Sequence, residues 1–363
     1  MKNLLQLLCF SLFCSACSSG EQQQQPKDFI EIDMVPLIEG EAEKVPLQEW
    51  AKSVRFIPLE TNEEILIKGI NYVYQCGDKF LLCQPERLSL FDREGKYLYD
   101  VGSLGQGPGE FVSIRGVVVH DGLIYVHEYA NHFKIYDWEG KFMKKLVLPH
   151  KVRGLITYPG KEEMLAYVAN TRGEESLRFY RIKGELVLDS VANPFIYQRG
   201  LGAVVQNFVP EFHPSQGSLN VFTEVNSDTV YRVDENLETR PYVVFNLGKY
   251  LYTRKERYNT TRDEVMRGGV KKNMMVLGEI GGKIFIRNAF EALHTVIFND
   301  EYTYCYNKQA KEVRKYFLTY PENDLDILEG AAFVPRAIFE NKYLVDWEQP
   351  DNEENPVLIL VEP

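Results

Sequence analysis

The chain has 363 residues, of which 45% are hydrophobic and 13% aromatic, enough to bury a large core. Its formal net charge is −11, from 41 Lys and Arg against 52 Asp and Glu, which argues against a nucleic-acid partner because an acidic surface repels phosphate backbones. No segment beyond the N-terminal region approaches the ~18 consecutive apolar residues of a membrane span.

The first residues read as targeting sequence. Lys2 precedes the apolar run Leu4, Leu5, Leu7, Leu8, Cys9, Phe10, Leu12 and Phe13, followed by Cys14-Ser15-Ala16-Cys17. A basic start, a short apolar stretch and small residues before a cut form the export pattern, so 1–16 is expected to be a signal peptide. A Cys directly after Ser-Ala points to lipidation of Cys17, although Cys14 stands where an aliphatic residue is usual. Residues 17–28, with Gln22 through Gln25 in a row, then form a lipidated flexible tether. Residues 29–363 are expected to form one domain. Outside the leader only Cys76, Cys83 and Cys305 remain, which is neither a disulfide framework nor a metal cluster. Cys76 and Cys83 could pair across neighbouring strands or stay as buried thiols.

An internal echo organises the rest. Phe91-Asp92-Arg93-Glu94-Gly95-Lys96-Tyr97-Leu98 is answered by Tyr136-Asp137-Trp138-Glu139-Gly140-Lys141-Phe142-Met143, a shift of about 45 residues. Looser copies begin at Tyr180, Tyr231 and Tyr304. Each reads as a hairpin: an apolar strand end, a polar turn able to take positive φ, then a second strand. Around the second copy, strands are predicted near Ile114–Val119, Leu123–His127, Phe133–Asp137 and Phe142–Leu148. Four strands per unit at this period predict an all-β fold, a six-bladed β-propeller of four-stranded antiparallel blades. The blades fall at 68–111, 112–149, 150–200, 201–250, 270–318 and 324 to the C-terminus. Val54–Leu59 is expected to supply an outer strand to the last blade and so close the ring. The copies are degenerate, so five and seven blades remain alternatives. The longer interval before the copy at Tyr304 predicts a short helical insertion over Arg254–Lys272, between blades four and five.

The runs Phe91-Asp92-x-x-Gly95-Lys96 and Val101-Gly102-x-x-Gly105-Gln106-Gly107-Pro108-Gly109-Glu110-Phe111 resemble those of six-bladed β-propeller lipoproteins of gut and oral anaerobes, distant relatives of NHL-repeat and TolB-like propellers. Ser227–Arg232 and Asn355–Ile359 extend the likeness over nearly the whole chain after the leader. The resemblance implies fold, export and an outer-membrane lipoprotein, with the face of the membrane open. It carries no activity to individual residues.

Two patterns are candidate ligand sites. Gly105–Phe111 could present Gln106 and Glu110 from an exposed loop, or it could be a tight connector whose Phe111 fills the core while Glu110 caps backbone amides. It lacks the Gly-Lys-Ser/Thr of a phosphate loop. Second, a cation, a small residue and an aliphatic recur at the heads of predicted inner strands, as Lys68-Gly69-Ile70, Arg115-Gly116-Val117, Arg153-Gly154-Leu155 and Arg336-Ala337-Ile338. Four cations around one channel mouth would attract a carboxylate or acidic sugar; otherwise they are solvated strand ends paired with nearby Glu.

Nothing indicates a metal or another cofactor, and none is expected. His120, His127, His132, His150, His213 and His294 show no metal spacing, and neither HExxH nor Gly-x-Ser-x-Gly occurs. Asp189-Ser190-Val191 and Asp228-Thr229-Val230 fit an O-glycosylation acceptor pattern of some exported bacterial proteins. Three functions compete: a binding module for a glycan, a peptide or an envelope protein; a channel-mouth lyase or hydrolase acting on an anionic substrate; and an envelope assembly factor. The binding module is favoured, as a monomer held to the membrane only through its lipid.

Overall fold

Apolar residues alternating between tight turns commit this chain to strands, and one strand pair after another builds sheets that must hide both faces. The computed structural model describes residues 29–158, 161–168, 175–193, 221–223, 228–234, 236–251, 274–292, 295–298, 301–321, 325, 327, 330–350 and 354–363. The leader, Cys17, the tether and the helix expected at Arg254–Lys272 lie outside them. So do His213 and His294.

The N-terminal segment contains β1 (Ile30–Asp33), the short helix α1 (Val35–Glu39), β2 (Glu43–Pro46), a single helical turn α2 (Leu47–Trp50) and β3 (Ser53–Pro58). Blade 1 is β4 (Tyr72–Cys76), β5 (Lys79–Cys83), β6 (Leu88–Asp92) and β7 (Tyr97–Asp100). Blade 2 is β8 (Gly116–His120), β9 (Leu123–Tyr129), β10 (His132–Tyr136) and β11 (Phe142–Val147). Blade 3 is β12 (Val152–Thr157), β13 (Met164–Val168), β14 (Leu177–Lys183) and β15 (Leu186–Ala192). Blade 4 shows β16 (Val221–Thr223), β17 (Thr229–Val233) and β18 (Thr239–Asn246). Blade 5 contains β19 (Met274–Ile280), β20 (Lys283–Ala292), β21 (Thr295–Phe298), β22 (Thr303–Asn307) and β23 (Glu312–Thr319). Blade 6 is β24 (Ala337–Phe339), β25 (Tyr343–Glu348) and β26 (Val357–Glu362), completed by β3.

The ring is visible in the core itself. Each hydrophobic cluster is shared by two consecutive blades: Leu81 and Leu90 meet Val117 and Ile124, Phe133 meets Leu155 and Met164, and Phe179 meets Val233. Val243 then meets Ile284, Phe285 meets Leu344, and Val345 meets Phe80. The last contact returns from blade 6 to blade 1, so the propeller has six blades. No blade could bury both faces of its sheet without its neighbours.

The echo also has a physical cause. Asp92 Oδ1 accepts the N–H groups of Glu94 and Lys96 at 3.0 and 2.8 Å, and Asp137 does the same for Glu139 and Lys141 at 3.1 and 2.9 Å. Asp234 repeats the pattern, and Asn307 takes the equivalent turn in blade 5. Each turn then needs one left-handed residue, at Gly95 (φ 89), Gly140 (φ 77), Leu237 (φ 65) and Lys311 (φ 55). At Gly95 a Cβ would also sit 2.2 Å from Pro58 O, and at Gly140 one would sit 2.9 Å from Asp100 O. These glycines wedge one blade against the outer strand of the preceding blade.

The expected closure by Val54–Leu59 is present: β3 pairs antiparallel with β26, from Pro58 opposite Val357 to Ser53 opposite Glu362. The same segment contributes more than the sequence suggested. Before reaching blade 6 it lays β1 parallel to β18 and β2 parallel to β23, as additional outermost strands of blades 4 and 5. Residues 30–58 thus form a strap around half the rim.

Cys76 lies opposite Lys79 and Cys83 opposite Tyr72, at opposite ends of one hairpin, which excludes a disulfide between them. Cys83 and Cys305 are buried free thiols, and burial pushes them up to about 12 and about 11.

Candidate functional site

In an up-and-down blade, the start of the inner strand and the end of the second strand share one end of the channel. Here that end receives the connectors between blades. The opposite end carries tight hairpins with two consecutive residues at positive φ: the two-residue loops Asp121-Gly122 and Gly281-Gly282, and Glu340-Asn341 within the three-residue loop 340–342. Lys68, Gln106, Glu110, Arg115, Arg153 and Arg336 all belong to connectors or strand heads at the first end, called the open end below.

Register refines the proposed ring of cations. Arg115 N donates to His127 O at 2.8 Å and Arg336 N to Val345 O at 2.7 Å, so these two hold equivalent places. In blade 1 that place belongs to Asn71, whose N–H donates to Cys83 O at 2.8 Å. Lys68 does not head its strand but lies three residues upstream. The cause is Asn355, which is 2% exposed and pins the connector: its Oδ1 accepts Ile67 N at 2.7 Å, and its Nδ2 donates to Ile65 O at 3.1 Å. Ile65 and Ile67 are thereby buried, and β4 starts only at Tyr72. Arg153 lies within the strand head of blade 3, at a register shift between Val152 and Gly154.

The environments of these cations differ. Lys68 and Arg115 are exposed and have no ion-pair partner among the described residues. Arg336 is enclosed by carboxylates. Its Nε lies 2.9 Å from Asp346 Oδ1, a second nitrogen lies 3.6 Å from Glu348 Oε1, and the guanidinium stacks 4.8 Å from the Trp347 ring centre. Asp346 is fully buried and well satisfied, accepting also from Tyr320 OH at 2.8 Å and Val334 N at 2.7 Å. Burial raises its carboxyl and, with the nearby Asp346 charge, lifts the Tyr320 phenol further above its ordinary range. Burial first, and Asp346 second, push the neighbouring Glu348 up to about 7, while Arg336 pulls it down. Glu348 keeps 33% of its side chain exposed, so a proton on it can exchange with solvent near neutral pH.

Blade 2 places Glu128 in the position of Asp346. It is 2% exposed and accepts Val112 N at 2.9 Å, holding the incoming connector as Asp346 holds Val334. Its cation comes from the third strand: Lys134 Nζ lies 4.0 Å from Glu128 Oε1 and donates to Gly107 O at 3.2 Å and to Glu110 O. The Gly105–Phe111 segment is tied down from both sides. Glu110 Oε2 accepts Gly107 N at 2.8 Å and occupies the space where a Cβ on Gly105 would fall, while Phe111 is fully buried. The tight-connector geometry is therefore present, with Glu110 committed to the loop and Gln106 exposed.

Glu128, Asp346, Glu348 and Tyr320 escaped the sequence reading. A usable signal existed for Asp346: a polar residue stands just past the apolar run of the second strand in blades 1 and 6, as in Phe80–Cys83 then Gln84, and Tyr343–Val345 then Asp346. The four described histidines are in aromatic contacts, among them His127 stacking on Phe133 at 4.5 Å and His132 on Tyr129 at 4.4 Å. Among the described residues no three His, Cys, Asp or Glu side chains converge on a metal-sized space. Asp189-Ser190-Val191 lies on the outer strand β15, and Asp228-Thr229-Val230 enters β17 with Val230 buried.

The sequence matches the family described as a domain of unknown function, DUF4934, over residues 29–357. No curated protein matches it. Among solved structures, it is similar to a protein of Bacteroides fragilis described as exported, with 15% identity and a TM-score of 0.64 over 88% of this chain and 98% of that one. The extracellular domain of a hybrid two-component system from B. thetaiotaomicron is more distant, with 10% identity and a TM-score of 0.45 over 84% of this chain and 40% of that one.

Proposed function

We propose that this chain, which belongs to the DUF4934 family, is an exported, lipid-anchored propeller of the outer membrane that binds an anionic glycan at its open end. An acidic peptide or an envelope protein presenting the same chemistry would use the same surface. The observation that carries this reading is the unequal treatment of charge at that end. In a protein of net charge −11, Lys68 and Arg115 stand exposed without a carboxylate among the described residues, while Arg336 is neutralised by two. A cation left unpaired in an acidic field is a point of attraction for an anion. Gln106 adds an exposed donor from the adjoining connector.

Export and anchoring rest on the leader pattern ending at Cys17, and the B. fragilis neighbour, described as exported, supports export alone. No helix among the described residues is long and apolar enough to cross a membrane.

Electrophoresis of the full chain through gels containing pectate, alginate, heparin or neutral dextran tests the reading. Retardation by a polyanion but not by dextran is expected, with mobility restored in Lys68→Ala/Arg115→Ala. Equal mobility in every gel, or retardation untouched by the double variant, would overturn it.

One observation favours catalysis as a second reading. Glu348, held near neutrality beside Arg336, has the proton affinity required of a general acid or base. A lyase or hydrolase would release new reducing ends from the retained polyanion, and Glu348→Gln would stop that release without abolishing retention.

A further inference from the structure

Every blade of an open-edged ring has an outermost strand whose outward N–H and C=O groups invite another chain, and natural sheets guard such edges. Among the described residues, five of them are guarded. The β7 edge is four residues long, and the β11 edge carries exposed Lys144 and Lys145. Blades 4 and 5 are covered by β1 and β2, whose own outer sides carry Glu31, Asp33, Glu43 and Pro46. In blade 6, β3 carries exposed Arg55 and Pro58.

Blade 3 differs. Its edge strand β15 runs for seven residues without Lys, Arg or Pro, and it leaves Leu186, Val187 and Leu188 exposed at 63%, 40% and 43%. Its one charge, Asp189, lies 3.2 Å from Arg181 Nε. Three adjacent apolar residues on an edge that no described strand covers are unusual unless something else does.

The structure also shows what such an edge accepts. On blade 4, β1 lies parallel to β18 with Ile30 to Asp33 opposite Val243 to Asn246, directly beyond a bulge that shifts the register between Val230 and Tyr231. On β15 the matching bulge falls at Leu188, between the pairs Ile182–Val187 and Arg181–Asp189, so counting along β15 sets Asp189–Ala192 against Val243–Asn246; a second shift, between Leu177 and Phe179, lies on β14 and adds no residue to β15. Asn193 N donates to Ser176 O, and alternation from that bond points the N–H groups of Ser190 and Ala192 outward. In blade 4, Phe245 N likewise points inward to Asp228 O, leaving Val244 and Asn246 to face β1.

We propose that the outer edge of β15 binds an extended peptide strand of another protein. The strand runs parallel to Asp189–Ala192, starting directly after the exposed Leu186–Leu188 so that its leading residue reaches Leu188, and has the alternating apolar and acidic pattern of Ile30-Glu31-Ile32-Asp33. A second copy of this chain fits less well: two β15 edges related by a two-fold axis would have to pair antiparallel, whereas both strands the strap adds to blades 4 and 5 are parallel. The rim seat is separate from the open end, so the two proposals stand or fall independently.

The test uses the full chain in detergent and a fluorescein-labelled peptide copying Phe29–Val35, read by anisotropy. Saturable binding is expected, weakened roughly tenfold or more by Ser190→Pro, which removes one outward donor and none used within the sheet. Ser190→Lys, which copies the position of Lys145 on β11, should weaken it similarly without straining the backbone. Circular dichroism should be unchanged in both. The proposal is overturned if the peptide does not bind, if both variants bind as the parent does, or if sedimentation shows a dimer that Ser190→Lys dissociates.

Discussion

Blades 2 and 6 solve the same problem with the charges arranged in opposite order. Each buries a carboxylate one place beyond the second-strand residue that pairs with the strand head, and each uses it to hold the backbone of the incoming connector, Glu128 at Val112 and Asp346 at Val334. In blade 2 the balancing cation is Lys134, drawn from the third strand and engaged with the Gly105–Phe111 connector, which leaves Arg115 exposed. In blade 6 the strand-head Arg336 itself balances the carboxylate, and Glu348 joins it. One pattern read from sequence, a cation before a small residue and an aliphatic, thus covers two physical situations. A strand-head cation is available to a ligand only when another side chain has neutralised the buried acid behind it.

Substitutions at the two carboxylates should show the largest effects. Asp346→Ala strands Arg336, Tyr320 OH and Val334 N, and a loss of about 3–5 kcal/mol is expected in urea unfolding, as for a broken buried pair. Glu128→Ala removes one backbone cap and a 4.0 Å ion pair, with an expected loss of about 1–3 kcal/mol. Equal losses would mean that the two carboxylates do the same job.

The strand-head cations should separate next. Arg336→Ala uncovers a buried acid and should destabilise by about 1–3 kcal/mol, whereas Arg115→Ala should stay within about 0.5 kcal/mol of the parent. A comparable loss at Arg115 would place a hidden carboxylate beside it.

A smaller effect should appear in the pH dependence. Glu348 titrates near 7 in the folded chain against an ordinary 4.5, so the folded state binds its proton more tightly than the unfolded state. Its contribution to stability is complete below about 4.5 and is lost as pH rises to about 7. Asp346 is raised as well and acts in the same direction, so the comparison must be made against Glu348→Gln. Relative to that variant, the parent should lose stability between those pH values; a constant difference would contradict the assignment.

Much of the architecture was legible because its causes are local. The Asp turn and its left-handed residue write themselves into Asp92–Gly95 and Asp137–Gly140, and an apolar run at 54–59 announced the closing strand. The strands at 30–33 and 43–46 were not legible, since each is four residues long and pairs in parallel with a partner far along the chain. Distance in sequence also hid the site. Asn355 fixes Ile65 and Ile67 from the far end of the sequence, which is why Lys68 looked like a strand head and is not one. Pairing of these cations with nearby Glu was one of the two readings of the sequence, but which cation is paired was not legible: the acids beside Arg336 come from the next strand, and only register shows which face they share.

Calorimetric titration of the most retarding polyanion into Arg115→Glu and Arg336→Gln, each checked for a native unfolding transition, addresses the open-end site most directly. The expected result is loss of measurable heat in Arg115→Glu with near-parental binding in Arg336→Gln. Parental binding by Arg115→Glu, or loss confined to Arg336→Gln, would contradict it.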